Sequence, residues 1–306
     1  MYAGRIPPEQ WYPAGDPVAR ARFLPLPSGW RVRVVEAGPT EGVPVVLVHG
    51  WACSAYSFRH TIPALAAAGR RVVAVDLLGH GLSDKPLAAS LYSAHGLTSY
   101  LVAVLDALEV PRADLVGHSL GGGLALRLAL HHPERVRRLA ALSPVGFGGV
   151  PVLRMARACS PAVVERMLPR VMPRWMFRIV LELAHGVRGG YAARDVDEYW
   201  APTQFPAFAR VLRRVVHEFD WEPLTREALR ELGVPFLLVV GGRDLLVPMS
   251  RELLETLREG FGARAELLQV PWVGHVVQEE APAEVNAVLT RFLGRSRPVA
   301  TSPASR

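Results

Sequence analysis

The chain has 306 residues, enough for one large domain or two ordinary ones. Half of it is hydrophobic and 21% is charged, which allows a substantial buried core and excludes a disordered chain. The positive charge is almost entirely arginine, with Lys85 the only lysine and a net charge of +7; the arginines are scattered along the chain rather than clustered, which argues against nucleic acid as a partner.

In chain order, the first twenty residues are polar and proline-broken and read as a surface segment. They lack the apolar stretch of a secretory signal, and no later window is apolar over the length of a membrane span. Arg22 to Leu26 and Trp30 to Glu36 alternate as a pair of strands around Pro27-Ser28-Gly29. Val45 to Val48 is a continuous apolar run, as expected of a strand buried on both faces. Ala55 to Ala68 predicts a helix, Arg71 to Asp76 a strand, and Leu91 to Leu108 a helix. Ala113 to Val116 is another apolar run, Leu120 to His132 a helix stopped by Pro133, and Arg138 to Leu142 a strand. The alternation then breaks: residues 150–221 show helical periodicity and several prolines but no strand. Pro235 to Val240 restores a strand. Ser250 to Glu259 is a helix capped by Ser250 and closed by Gly260. Glu266 to Val270 is the last strand, Pro282 to Leu293 the last helix, and the tail after Arg295 reads as disordered. Alternating strands and helices predict a mostly parallel sheet with right-handed crossovers. The domain reading is a core of residues 1–149 and 222–306, with a helical insertion at 150–221 as a candidate lid.

Chemistry concentrates at Gly117-His118-Ser119-Leu120-Gly121, a G-x-S-x-G pentapeptide with a strand before it and a helix after it. A serine on such a turn presents its hydroxyl above the sheet edge, and the small flanking residues let the backbone turn tightly. A serine nucleophile needs a base, an acid to orient that base, and donors for an oxyanion. Of the ten histidines, His131 and His132 end the helix that begins at Ser119, roughly 17 Å away at about 1.5 Å per residue, and His60 and His95 lie on other helices. His275 follows the last strand on a glycine-bearing loop and is the expected base. Asp244 follows the strand before it, in Gly241-Gly242-Arg243-Asp244, and is the expected acid; the preceding strand ends in Leu142-Ser143-Pro144, without a carboxylate. The expected oxyanion donors are the backbone N–H groups of Leu120 and of Trp51, in the turn His49-Gly50-Trp51.

On these residues the chain resembles the α/β-hydrolase superfamily over about residues 20 to 295, and Asp76-Leu77-Leu78-Gly79-His80-Gly81-Leu82-Ser83-Asp84-Lys85-Pro86 matches a loop common in its lipase-, haloperoxidase- and C–C-hydrolase-like branches. The resemblance implies an eight-stranded, mostly parallel sheet whose second strand is antiparallel, and a cap between strands six and seven. It also narrows the chemistry. Epoxide hydrolases and haloalkane dehalogenases of this fold use an aspartate nucleophile where Ser119 stands. Proline iminopeptidases carry tryptophan where Leu120 stands, and ring-cleavage C–C hydrolases have a glycine-rich H-G-x-G-P-G loop unlike His49-Gly50-Trp51-Ala52-Cys53-Ser54.

The expectation is a serine hydrolase acting on carboxylic esters of small-to-medium apolar substrates, needing water and no cofactor or metal. A C–C hydrolase, a cofactor-free haloperoxidase or perhydrolase, an acyltransferase and a ligand receptor that keeps the triad are the alternatives. Two cysteines, Cys53 and Cys159, are too few for a disulfide framework, and Cys53 reads as a small buried filler. These features predict a soluble, cytoplasmic protein, and the arginine-, alanine- and glycine-rich usage suggests a bacterial source. Residues 150–222 carry many aromatics and methionines, read either as ordinary core or as an apolar pocket. Arg166, Arg170, Arg174 and Arg178 recur every four residues; a solvated arginine face is expected, with peripheral lipid contact as the alternative, since Pro169 and Pro173 interrupt the run. Oligomeric state is left open.

Overall fold

A computed structural model describes residues 4–161, 172–261 and 265–295. Its strands are β1 (Arg20–Pro25), β2 (Arg31–Ala37), β3 (Pro44–Val48), β4 (Arg71–Val75), β5 (Ala113–His118), β6 (Val136–Leu142), β7 (Phe236–Gly241) and β8 (Ala265–Val270). Its α-helices are α1 (Thr61–Ala67), α2 (Ala94–Ala107), α3 (Leu120–His131), α4 (Pro151–Cys159), α5 (Arg174–Ala184), α6 (Ala193–Trp200), α7 (Pro206–Glu218), α8 (Arg226–Arg230), α9 (Arg251–Phe261), α10 (Val277–Glu280) and α11 (Pro282–Gly294).

The strands form one eight-stranded sheet in the order β1-β2-β4-β3-β5-β6-β7-β8. β2 is antiparallel to both its neighbours, and every pairing from β4 to β8 is parallel. Side chains alternate across a strand, so each apolar run feeds two cores. Val46, Val48, Val73, Val75, Leu115 and Leu238 pack on one face with α2, α3 and α9. Val45, Leu47, Val72, Ala74, Val116 and Leu237 pack on the other with α1 and α11. Between β6 and β7 every regular element among the described residues is helical. This insertion joins both cores: Val211, Val215 and Phe219 enter the first, and Phe177, Leu181, Val196 and Tyr199 the second.

Several elements differ from the sequence expectation. The helix expected over 55–68 is a 3₁₀ turn, Ala55–Phe58, followed by α1 from Thr61. A continuous helix would place Pro63 in its interior, where the ring clashes with a carbonyl one turn back; starting at Thr61 puts Pro63 in the first turn. The helix expected over 91–108 breaks at Ser93, whose Oγ accepts the Gly96 N–H at 3.0 Å and starts α2 afresh. α9 does not close at Gly260 but runs on to Phe261, whose ring packs 5.1 Å from Phe236 and 6.5 Å from Phe147. Burying that ring outweighs the helix penalty of one glycine, about 1 kcal/mol.

The N-terminal segment is not a loose surface strand either. Trp11 and Tyr12 are buried. Arg5 Nε donates to Thr203 Oγ1, the Tyr12 N–H donates to Glu198 Oε1, and Trp11 meets Phe205 edge-on at 6.1 Å. In the arginine run, Arg166, Arg170 and Pro169 lie outside the described residues. Met172 and Pro173 are not helical, and Arg174 opens α5 and pairs with Asp197 at 2.7 Å, so the described part is not one continuous helical face. The tail after Arg295 also lies outside the described residues.

Candidate active site

β5 delivers Ser119 to the end of the sheet, and α3 departs from it at once. Ser119 takes φ 53° and ψ −118°, a conformation side-chain-bearing residues rarely adopt. The residues two positions before and after it have to be glycine. A Cβ on Gly117 would lie 2.4 Å from the Gly121 carbonyl, and one on Gly121 would lie 2.1 Å from that of Val48. The bend is bolted in place from both ends. The Ser119 N–H donates to the Leu142 carbonyl at 2.9 Å, and the Ser119 carbonyl accepts from Gly123 and Val145 N–H, each at 3.1 Å.

The three residues expected to act together meet in one line. Ser119 Oγ lies 2.8 Å from His275 Nε2, and His275 Nδ1 lies 2.8 Å from Asp244 Oδ2. Side-chain roles follow from the partners: the carboxylate accepts from Nδ1–H, so Nε2 is bare and accepts from the serine hydroxyl. Asp244 Oδ1 accepts the Leu246 and Val247 N–H groups, both at 2.9 Å. Burial works against the Asp244 charge, but His275 and these two N–H groups outweigh it and hold the carboxyl below its usual range. All three residues are nearly enclosed, with 9%, 6% and 7% of Ser119, His275 and Asp244 exposed.

The two expected oxyanion donors belong to the residue after the serine and to the residue after Gly50, which packs against the serine. Leu120 is the first residue of α3, so its N–H has no acceptor within the helix. Trp51 follows Gly50, which packs so tightly on the nucleophile that a Cβ there would lie 3.0 Å from Ser119 Cβ. The turn is held by His49. Its Nε2 accepts the Leu77 N–H at 2.9 Å, which leaves Nδ1–H to donate to the Gly50 carbonyl at 2.7 Å. Burial pushes the His49 pKa down, in keeping with this neutral form. Trp51 itself reaches the insertion, donating from Nε1 to the Leu212 carbonyl at 3.1 Å.

Sequence reasoning passed over several residues at this site. His118 Nε2 donates to the His275 carbonyl at 3.0 Å, its ring lies 4.9 Å from that of His275, and burial pushes its pKa down to about 3. Nothing marked it except its place beside Ser119. Arg59 binds Glu279 at 2.6 Å and Asp195 at 2.9 Å, joining α10 to the insertion. Long-range ion pairs of this kind have no sequence periodicity to betray them. Cys53 is half-buried, and burial with nearby Glu279 pushes its thiol pKa up. Of the insertion's aromatics, Phe177, Tyr199, Trp200, Phe208, Phe219 and Trp221 are core, while Trp175 is 64% exposed.

A serine, histidine and aspartate hydrogen-bonded in series at the strand-to-helix bend of a mostly parallel sheet is the arrangement of an α/β hydrolase. The chain belongs to that family: the model of the alpha/beta hydrolase fold matches residues 43–282. It is 30% identical to epoxide hydrolase A of Mycobacterium tuberculosis, covering 87% of this chain and 95% of that one. It is 32% identical to a 2-hydroxymuconate semialdehyde hydrolase of Pseudomonas sp. (strain CF600), covering 90% and 95%. A meta-cleavage product hydrolase from Pseudomonas fluorescens IP01 superposes with a TM-score of 0.75 at 26% identity, over 89% of this chain and 97% of that one. No described helix is long and apolar enough to cross a membrane.

Proposed function

We propose that the chain is a serine hydrolase that cleaves carboxylic esters of small-to-medium, mainly apolar substrates through an acyl-enzyme. The observation that carries this reading is the unbroken line from Asp244 through His275 to Ser119 Oγ. His275 Nε2 takes the hydroxyl proton as Oγ bonds to the ester carbonyl carbon. The oxyanion that forms sits between the N–H groups of Leu120 and Trp51, and its charge is met by donors already in place. The C–O bond to the alcohol breaks, and the leaving oxygen takes the proton from His275. Water then repeats the sequence and releases the acid, with Asp244 stabilising the imidazolium in both halves. Residues 150–221 act as a cap, and Trp51, anchored to α7, joins it to the oxyanion turn.

Chemistry separates this reading from the epoxide-opening activity named for one relative. An aspartate opening an epoxide leaves an ester that water can hydrolyse. A serine alkoxide would leave an ether, which the same machinery cannot hydrolyse, so Ser119 would turn over once and stop. An acyl group on Ser119 remains an ester and is released.

A second reading is C–C bond hydrolysis of a vinylogous diketone, favoured by the 32%-identical relative and served by the same serine. Steady-state hydrolysis of p-nitrophenyl esters from acetate to palmitate, with Ser119→Ala as control, tests the first. Serine-dependent turnover with a chain-length optimum is expected. A folded protein that leaves all these esters intact but bleaches a coloured dienol substrate in a single turnover would replace the ester reading with the second.

A further inference from the structure

α10 begins two residues after His275 and carries adjacent carboxylates that both reach into the insertion. Glu280 divides its oxygens between two loops. Oε1 accepts the N–H of Gly274, the residue before His275, at 2.7 Å. Oε2 accepts the N–H of Gly186, just past α5, at 2.7 Å, and that of Val187 at 3.4 Å. The backbone makes the same connection directly, because the His275 N–H donates to the Ala184 carbonyl at 2.7 Å. There is no slack in this contact. A Cβ on Gly186 would lie 2.5 Å from the Trp272 carbonyl and 2.6 Å from the Gly274 nitrogen. Glu279 makes a second tie, accepting from the Tyr199 hydroxyl of α6 while Arg59 bridges it to Asp195 of α6. The His275 carbonyl is taken by His118. Both peptide groups of the histidine are therefore held, one by the core and one by the insertion.

We propose that Glu280 is a positioning residue, and that the insertion, through Ala184 and Gly186, is part of the apparatus that keeps His275 in line between Asp244 and Ser119. This rests on the serine-hydrolase reading above. A histidine on a loop between a strand and a four-residue helix has little of its own to fix its ring. The Glu280 carboxylate, shared between the two loops, removes that freedom before substrate arrives. It follows that α5 cannot lift away as a free flap without taking the general base out of register.

Titration with a fluorophosphonate, which bonds to Ser119 at a rate set by the serine–histidine geometry, separates placement from mere stability. Glu280→Gln keeps the shape but turns an amide N–H₂ toward the backbone N–H side of one of the two loops; Glu280→Ala removes both acceptor oxygens. Gly186→Ala strikes the same contact from the insertion side. All three are expected to label to full stoichiometry. The per-site rate should fall about 10²-fold for the two alanine variants, as for a misplacement near 1 Å, with an intermediate loss for Gln. The kcat for the best ester should fall in parallel at unchanged KM. Independently of any reagent, the proton NMR signal of His275 Nδ1–H should broaden in Glu280→Ala. Variants that label at the wild-type per-site rate, with only the number of active sites reduced, would overturn the proposal and leave Glu280 a stability residue. Wild-type protein that fails to label at Ser119 would instead overturn the serine-hydrolase reading beneath it.

Discussion

At the scale of single residues, Ser119 combines two demands that conflict: its hydroxyl must stand clear, and its backbone must adopt φ 53° to let it. Strain of this kind costs about 1–3 kcal/mol and is held by the surrounding structure. Two substitutions separate function from strain. Ser119→Ala should lower kcat by at least ~10³-fold while keeping the fold and the strain. Ser119→Gly should be equally inactive yet more stable than the alanine variant by about 1 kcal/mol, because glycine tolerates the turn at little steric cost. Paired thermal melts and ester assays check both; equal melting temperatures would mean the bend is unstrained. Gly50 sits on the other side of the nucleophile. Gly50→Ala should cut kcat without unfolding the protein, since its Cβ would lie 3.0 Å from Ser119 Cβ and 3.2 Å from His118 Nδ1. Unimpaired ester hydrolysis by the folded variant would show that the turn can yield.

At the scale of elements, the strands were the legible part. Val45 to Val48 and Pro235 to Val240 announce buried parallel strands by being apolar on both faces, and both are strands of the central sheet. Helix ends were less so, because they are settled by contacts distant in sequence: the ring of Phe261 carries α9 past Gly260, and Ser93 restarts a helix that periodicity reads as continuous. The Ser93 cap has its own test. Ser93→Ala should cost about 1 kcal/mol in a denaturant titration by freeing one N–H at the start of α2. No change in the midpoint would mean the cap is replaced by water. Chain order and strand ends point to Ser119, His275 and Asp244, and the structure brings these three side chains together. Glu280 could not, since its worth lies in bonding Gly186, ninety-four residues away.

At the scale of the whole molecule, one buried carboxylate gathers four parts of the chain. Asp76, at the end of β4, binds Arg33 of β2 at 3.1 Å and accepts the N–H groups of Ala55 at 2.7 Å and Leu82 at 2.9 Å. Arg33 in turn donates to the Tyr12 carbonyl. Burial works against the charge of Asp76, but Arg33 and the two N–H groups outweigh it and set its pKa below the ordinary 3.8. A carboxylate held lower in the folded state than in the unfolded stabilises the fold above that ordinary value. The contribution fades as pH falls through the folded-state pKa. Asp76→Asn leaves Arg33 without its charge partner, and stability at neutral pH should fall by about 3 kcal/mol. Its stability should also decline less steeply than that of the wild type below pH 3.8, as read by denaturant midpoints across pH. Parallel acid limbs would mean that Asp76 carries no linkage.

The N-terminal segment has a consequence for how the protein is made. Arg5, Trp11 and Tyr12 find their partners at Thr203, Phe205 and Glu198. These three contacts cannot form until the insertion, which follows the segment by nearly two hundred residues, has been synthesised. Only then can the Trp11 ring meet Phe205, whereas the Tyr12 ring already has Tyr56 beside it at 5.9 Å.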